Sequence, residues 1–261
     1  MIGATIREAR GLGIAVLAGM IAGLVAGGVG GRIAMRLVAV ASRTEAAGAI
    51  TENGNVVGEI TTAGTVSLIV VAGVAFGIGA GLVYGATRHW LRGLGRRRPL
   101  AFGALLLVVL GFTVIDPANR DFDRLGTPIV NVVLFGAIFV LDGVLLIWLA
   151  DALERVTPGA PDVADRGVGG LVIIAFVGMA FLASALLLVG LAVTTTLALT
   201  GIAPAGTGFG NASLVLLGIL AAGMLARAVA EPWRTVVLAA PLLAGALLTA
   251  RAVVVVLQAG A

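Results

Sequence analysis

Apolar residues in this chain fall in long uninterrupted runs, not in the short amphipathic stripes of a water-soluble domain. Taking runs of about twenty predicts seven membrane-spanning helices, at approximately 11–33, 64–87, 99–115, 127–150, 168–199, 212–230 and 235–257, with ends good to about two to four residues. Runs of this length exceed a buried soluble helix, so a large aqueous core is excluded. Several starts carry helix punctuation: Pro99, Pro128 after Thr127, and Pro232 after Glu231 stand where a first-turn proline leaves no orphan N–H. Asp116-Pro117 marks a stop. The fifth run would reach roughly 48 Å as one straight helix, against about 30 Å of hydrocarbon. It must therefore tilt or project its last turns, around Thr194-Thr195-Thr196, outward. The charge-free segment 201–211 reads as a connector in preference to a shallow re-entry.

Glycine punctuates the first two runs at a fixed interval. Gly19, Gly23, Gly27 and Gly31 recur every four residues, and Gly73, Gly77, Gly81 and Gly85 repeat the spacing. In a soluble helix each costs about 1 kcal/mol relative to alanine. In hydrocarbon small residues four apart let two backbones approach, the pattern of a glycine zipper. Heights along antiparallel spans place Gly19 and Gly23 against Gly73 and Gly77, leaving the far end of each ladder for another helix of this chain or of a second copy. The glycine-rich stretch Gly27 to Gly31 is also a candidate helix break.

Between these runs lies the longest polar segment, about 34–63. Ala49-Ile50-Thr51 and Val56 to Thr61 flank Glu52-Asn53-Gly54-Asn55, and Asn-Gly is a strong hairpin signal because both residues tolerate positive φ. A small extracytoplasmic β-hairpin is expected within about 42–63, resting on the span ends because an isolated two-stranded hairpin is marginal in water. The expected fold is thus one integral membrane domain over 1–261: an all-α polytopic bundle of about seven spans carrying that hairpin.

Composition agrees. Of 261 residues 60% are hydrophobic and 11% charged, with a mean hydropathy of +1.14. All 17 basic residues are arginine, and the net charge of +4 arises from arginines at span ends, which argues against nucleic acid as a partner. Cysteine is absent, which removes disulfides, thiolate metal sites and cysteine nucleophiles. Arg7 and Arg10 before an apolar run imitate a signal peptide, but the run is long and arginines follow it, so an uncleaved first span is expected. With the amino terminus cytoplasmic, 11 arginines fall inside and six outside: Arg32, Arg36, Arg43, Arg120, Arg124 and Arg251.

Ionisable residues inside spans are the default functional candidates. Asp142 in span four and Arg227 in span six both stand toward the inner third. They form a candidate intramembrane ion pair, with a proton or ion path through Asp142 as the functional alternative and snorkelling as the simplest one. Arg251 snorkels. Arg32 and Arg36 share one helical face on the outer side, where an anion should hold them: a tether to a loop acid such as Glu59, or a lipid phosphate or anionic solute, with Asp116 lining the same outer face. The segment 116–123 gathers hard oxygens including Asp121 and Asp123, but it lacks the spacing of a calcium loop and Arg120 and Arg124 compete, so no metal is expected. Arg88 to Arg98, with His89 and Trp90, fix topology and could grip anionic headgroups. No nucleophile elbow, metalloprotease helix, phosphate loop or paired intramembrane carboxylates occur, so neither an enzyme nor a cofactor is expected.

Gly30-Gly31-Arg32-Ile33-Ala34-Met35-Arg36, the segment from Thr51 to Thr61, and Ile115-Asp116-Pro117-Ala118-Asn119 together resemble a family of uncharacterised bacterial multi-span membrane proteins. The resemblance covers roughly the first half of the chain. It implies only a shared membrane fold, and no activity; the expected location is a bacterial inner membrane. Three function classes follow: a non-enzymatic assembly or accessory component of the membrane, a small-solute or ion transporter or channel, and a lipid-binding or lipid-acting protein with an outer-face site. Lipids are partners in each, with a second copy or another membrane protein in the first. The arginine bias places the carboxyl terminus outside. A reporter active only in the cytoplasm, fused there, is expected to stay silent; a bright fusion would reverse the topology.

Overall fold

A computed structural model describes residues 2–41, 61–117, 127–157, 208–226 and 233–259, with single positions 175, 178, 179, 182, 190, 196 and 230. Among the described residues every regular element is helical. Three helices among the described residues are long and apolar enough to cross a membrane: Arg10–Val40, Pro128–Val156 and Thr235–Gln258. The expected hairpin falls almost wholly outside the described residues, as does most of the fifth run.

The first rod consists of α1 (Ile2–Gly23), a π-helical segment Leu24–Gly30, and α2 (Gly31–Ala41). The break expected at Gly27 to Gly31 does not occur. The Gly31 N–H bonds back to the carbonyls of Ala26, Gly27 and Gly28, so the chain widens its turn without leaving the helix. The expected loop at 34 is likewise corrected to helix as far as Ala41. Gly31, Ala34 and Val38 form a buried stripe there, whereas Ile33, Met35, Leu37 and Val40 face outward, as an apolar solvent allows.

The second rod runs through α3 (Thr62–Leu68), a π segment Ile69–Ala75, and α4 (Phe76–Leu91). It begins at 62, so residues 62–63 are helix and not hairpin. The cause is a cap: Thr61 is extended, its hydroxyl accepts from the Gly64 N–H at 3.1 Å, and the Thr65 hydroxyl donates to the Thr61 carbonyl at 2.8 Å. A 3-10 segment Arg92–Arg97, with Gly95 at φ 50, reverses the chain into α5 (Arg98–Leu110). Pro99 lies in the first turn of α5, and Gly111–Thr113 continues it as a 3-10 turn.

Helix α6 (Pro128–Val156) starts with its proline in the first turn after an extended Thr127 and ends at Thr157, whose hydroxyl donates to the Leu153 carbonyl at 2.6 Å. It outruns the expected end at 150, and Asp142 is its middle residue. Helix α7 (Gly208–Leu225) starts earlier than expected and stops two residues before Arg227. Helix α8 (Trp233–Ala259) passes through Pro241.

Close approaches fix the bundle. A Cβ on Gly19 would lie 2.1 Å from the Gly77 carbonyl oxygen, and one on Gly23 2.2 Å from that of Gly73. Gly81 meets Ala15 and Val16 backbone at 2.6 Å, and Gly85 meets Leu12. The second ladder therefore spends its whole length on the first rod. It leaves no far end for another helix, because the antiparallel rods stay in register one turn at a time. Beyond Gly23 the first rod has two neighbours: the π segment 24–30 faces the π segment 69–75 and also α6. A second crossing joins α5 to α6, where a Cβ on Gly143 would lie 2.4 Å from the Gly103 Cα. Gly136 beside Leu107 shows the same antiparallel register. Helix α8 lies parallel to α5, with Gly245 on the Val109 carbonyl and Thr249 on Gly111. Helix α7 lies parallel to α4, with Leu216 beside Gly79 and Ala86 beside Gly223. The shared core centres on Phe102, Leu106, Val109, Leu146 and Ile147, and Tyr84 meets Phe102 edge-on at 5.2 Å.

Gly19→Val is expected to destabilise the bundle by about 3 kcal/mol or more, since backbone oxygen cannot retreat from the new side chain. Gly93→Ala, with nothing within 4 Å of its Cβ, should leave stability unchanged or raise it by about 0.5 kcal/mol. Thermal unfolding in detergent reads both; equal melting points would remove the close-approach account.

Candidate functional site

On α6 the buried positions Asn131, Gly136, Phe139, Asp142, Gly143, Leu146, Ile147 and Ala150 trace one stripe down the helix. The stripe is buried because α6 packs on the first rod and on α5 together. Asp142 is 9% exposed, and its Oδ1 is fully enclosed with no hydrogen-bond partner among the described residues. Phe139 lies one turn before it and Leu146 one turn after. Its neighbour Gly143 makes the tight crossing on Gly103, so the backbone on either side of the carboxyl is held against a second helix. Arg227, its expected partner, lies outside the described residues.

Of the outer-face candidates, Arg32 has a described partner. Arg32 reaches across to the second rod, where its Nη2 donates to the Thr65 hydroxyl at 2.7 Å, while its Nε is enclosed without a partner among the described residues. The tether is thus made to a neutral hydroxyl. Arg36 is exposed, Asp116 is half-buried just past α5, and Glu59 lies outside the described residues. Thr65 was missed because a threonine near a span start reads as a cap; only its one-turn spacing from Thr61 marks it as a doubled polar step. Arg251 is exposed on α8.

At the opposite end of the bundle a polar belt joins four helices. Arg98 pairs with Asp151, with side chains 23% and 42% exposed. The Arg10 guanidinium donates to the Glu154 and Thr157 carbonyls at the end of α6, where a cation meets the negative pole of the helix. The Arg88 guanidinium lies over Gly11, and His89 stands beside Trp90 with ring centroids 5.0 Å apart. Sequence reasoning gave these arginines a topological role and missed their partners, since carbonyl acceptors leave no mark in composition. The buried bond from the Phe112 N–H to the Thr249 hydroxyl, 3.0 Å, was missed for the same reason. Among the described residues no three histidine, aspartate or glutamate side chains gather as a metal site. The chain matches no family model, no curated protein and no solved structure.

The belt and the buried bond should differ in worth. Asp151→Asn is expected to cost less than about 1 kcal/mol, because a half-exposed pair is screened by solvent. Thr249→Val strands a buried N–H and should cost about 1–3 kcal/mol. Denaturant titration in mixed micelles compares them; the reverse order would show that the belt, not the interior, holds the helices.

Proposed function

We propose that the chain is a non-enzymatic assembly or accessory component of a bacterial inner membrane, crossing it about seven times with its amino terminus cytoplasmic, in line with the family resemblance of its first half. The observation that carries this reading is the backbone-to-backbone contact at Gly19/Gly77, Gly23/Gly73 and Gly103/Gly143. Peptide groups in van der Waals contact leave no passage between those helices, and a bundle so tightly joined is suited to hold a shape and present it to others.

The helix directions support the crossing number. Helix α6 ends at the Arg98–Asp151 end of the bundle, and α7 runs toward that same end beside α4. Between them the sequence carries the apolar run 168–199, long enough for one further crossing. A hairpin in the first outer loop belongs to the same reading. Large apolar residues exposed on α2, α6 and α8, among them Leu37, Val133, Trp148 and Leu247, meet lipid, a second copy or another membrane protein.

A second reading, passage of a small ion, draws on one observation, the enclosed carboxyl of Asp142. Because the chain has no cysteine, a single cysteine at Leu247 or Val133 gives unambiguous cross-links. Cross-linking in native membranes is expected to join the chain to one constant partner, a second copy or another integral protein. Proteoliposomes are expected to pass no proton or potassium current above empty vesicles. A current abolished by Asp142→Asn would replace the first reading with the second.

A further inference from the structure

We propose that Asp142 is a proton-binding site, its carboxyl neutral in the closed bundle and able to ionise only when the crossing of α5 and α6 opens. Four observations meet at this residue. The side chain is more than nine-tenths buried. Its Oδ1 has no hydrogen-bond partner among the described residues. It is the middle residue of a helix long and apolar enough to cross a membrane. A Cβ on the adjacent Gly143 would lie 2.4 Å from the Gly103 Cα, so the two backbones touch beside the carboxyl and leave no room there for a hydration shell.

Among the described residues, the charged groups on the elements around α6 are engaged elsewhere or stand at the bundle's ends. On the first rod Arg10 binds the end of α6, Arg32 binds Thr65, and Arg36 is exposed. On α4, Tyr84 stacks on Phe102, Arg88 covers Gly11 and His89 meets Trp90. On α5, Arg98 holds Asp151, and on α8, Arg251 is exposed. A carboxylate without counter-charge or donors is costly in such surroundings, whereas the protonated acid is a small, weakly polar group that the interface tolerates. Proton release and helix separation are then one linked equilibrium: whatever opens the Gly103/Gly143 crossing lets water reach the carboxyl, and whatever removes the proton favours opening.

Dicyclohexylcarbodiimide tests this on the intact protein in membranes, because the reagent partitions into hydrocarbon and adds only to a protonated carboxyl. Peptide mapping by mass spectrometry is expected to find the N-acylurea on Asp142 and not on the water-accessible Asp151. Asp142→Glu should retain the label and Asp142→Asn lose it, together with the infrared carbonyl stretch of a protonated carboxyl. Should Asp142→Asn fail to fold, the mapped site in the wild-type protein decides alone. Arg227→Leu is expected to leave labelling unchanged. An unlabelled wild type, or label that appears only once Arg227 is removed, would mean an ionised Asp142 held by a counter-charge and would overturn the proposal.

Discussion

The whole arrangement depends on backbone approaching backbone across helix interfaces. In hydrocarbon, apolar side chains gain nothing by leaving lipid for one another, so helices hold together where their surfaces touch most closely. Gly19, Gly23, Gly77 and Gly81 give the first two rods such a surface, and the single pair Gly103 and Gly143 gives it to α5 and α6. With these two crossings set, the remaining positions follow. Tyr84 is brought edge-on to Phe102, Arg98 level with Asp151, and Arg10 beneath the last carbonyls of α6. The polar belt is then a consequence of close packing and not its cause.

That dependence explains what could be read from the sequence. A repeated glycine at a four-residue interval is periodic, so the contact between the first two runs was legible, including its offset, which helix rise alone determines. Gly103 and Gly143 were not legible, because one glycine per helix has no period and resembles the many that only meet lipid. The continuity of the first rod was missed for a related reason. Glycine weakens a helix in water, but inside a bundle the Gly31 N–H finds three carbonyls at a widened turn and the rod continues. Proline starts at Pro99 and Pro128 were legible because they rest on local sterics.

Among the candidate sites, the sequence located ionisable residues better than it located their partners. It singled out Asp142 from the cost of charge in a span, and the residue is buried. It looked for anions around Arg32, yet the described partner is the Thr65 hydroxyl. Arg10 ends on backbone carbonyls and Arg98 on Asp151. Charge pairing invites a search among acids, whereas in a helical bundle the free carbonyls at helix ends compete for the same cations and are invisible to composition.

Tight backbone crossings and an enclosed carboxyl place opposing demands on one interface. The contact of Gly103 with Gly143 is stable only while the two helices are in van der Waals touch, and a charge at the adjacent Asp142 is stable only if they part enough to admit water or a counter-ion. Neither demand is graded, because a gap smaller than a water molecule loses packing without gaining hydration. The interface therefore has two consistent states, closed with the acid neutral or open with it charged, and little between them. In a bundle otherwise knit together by peptide contacts, this is the one described place where a change the size of a proton has a structural answer.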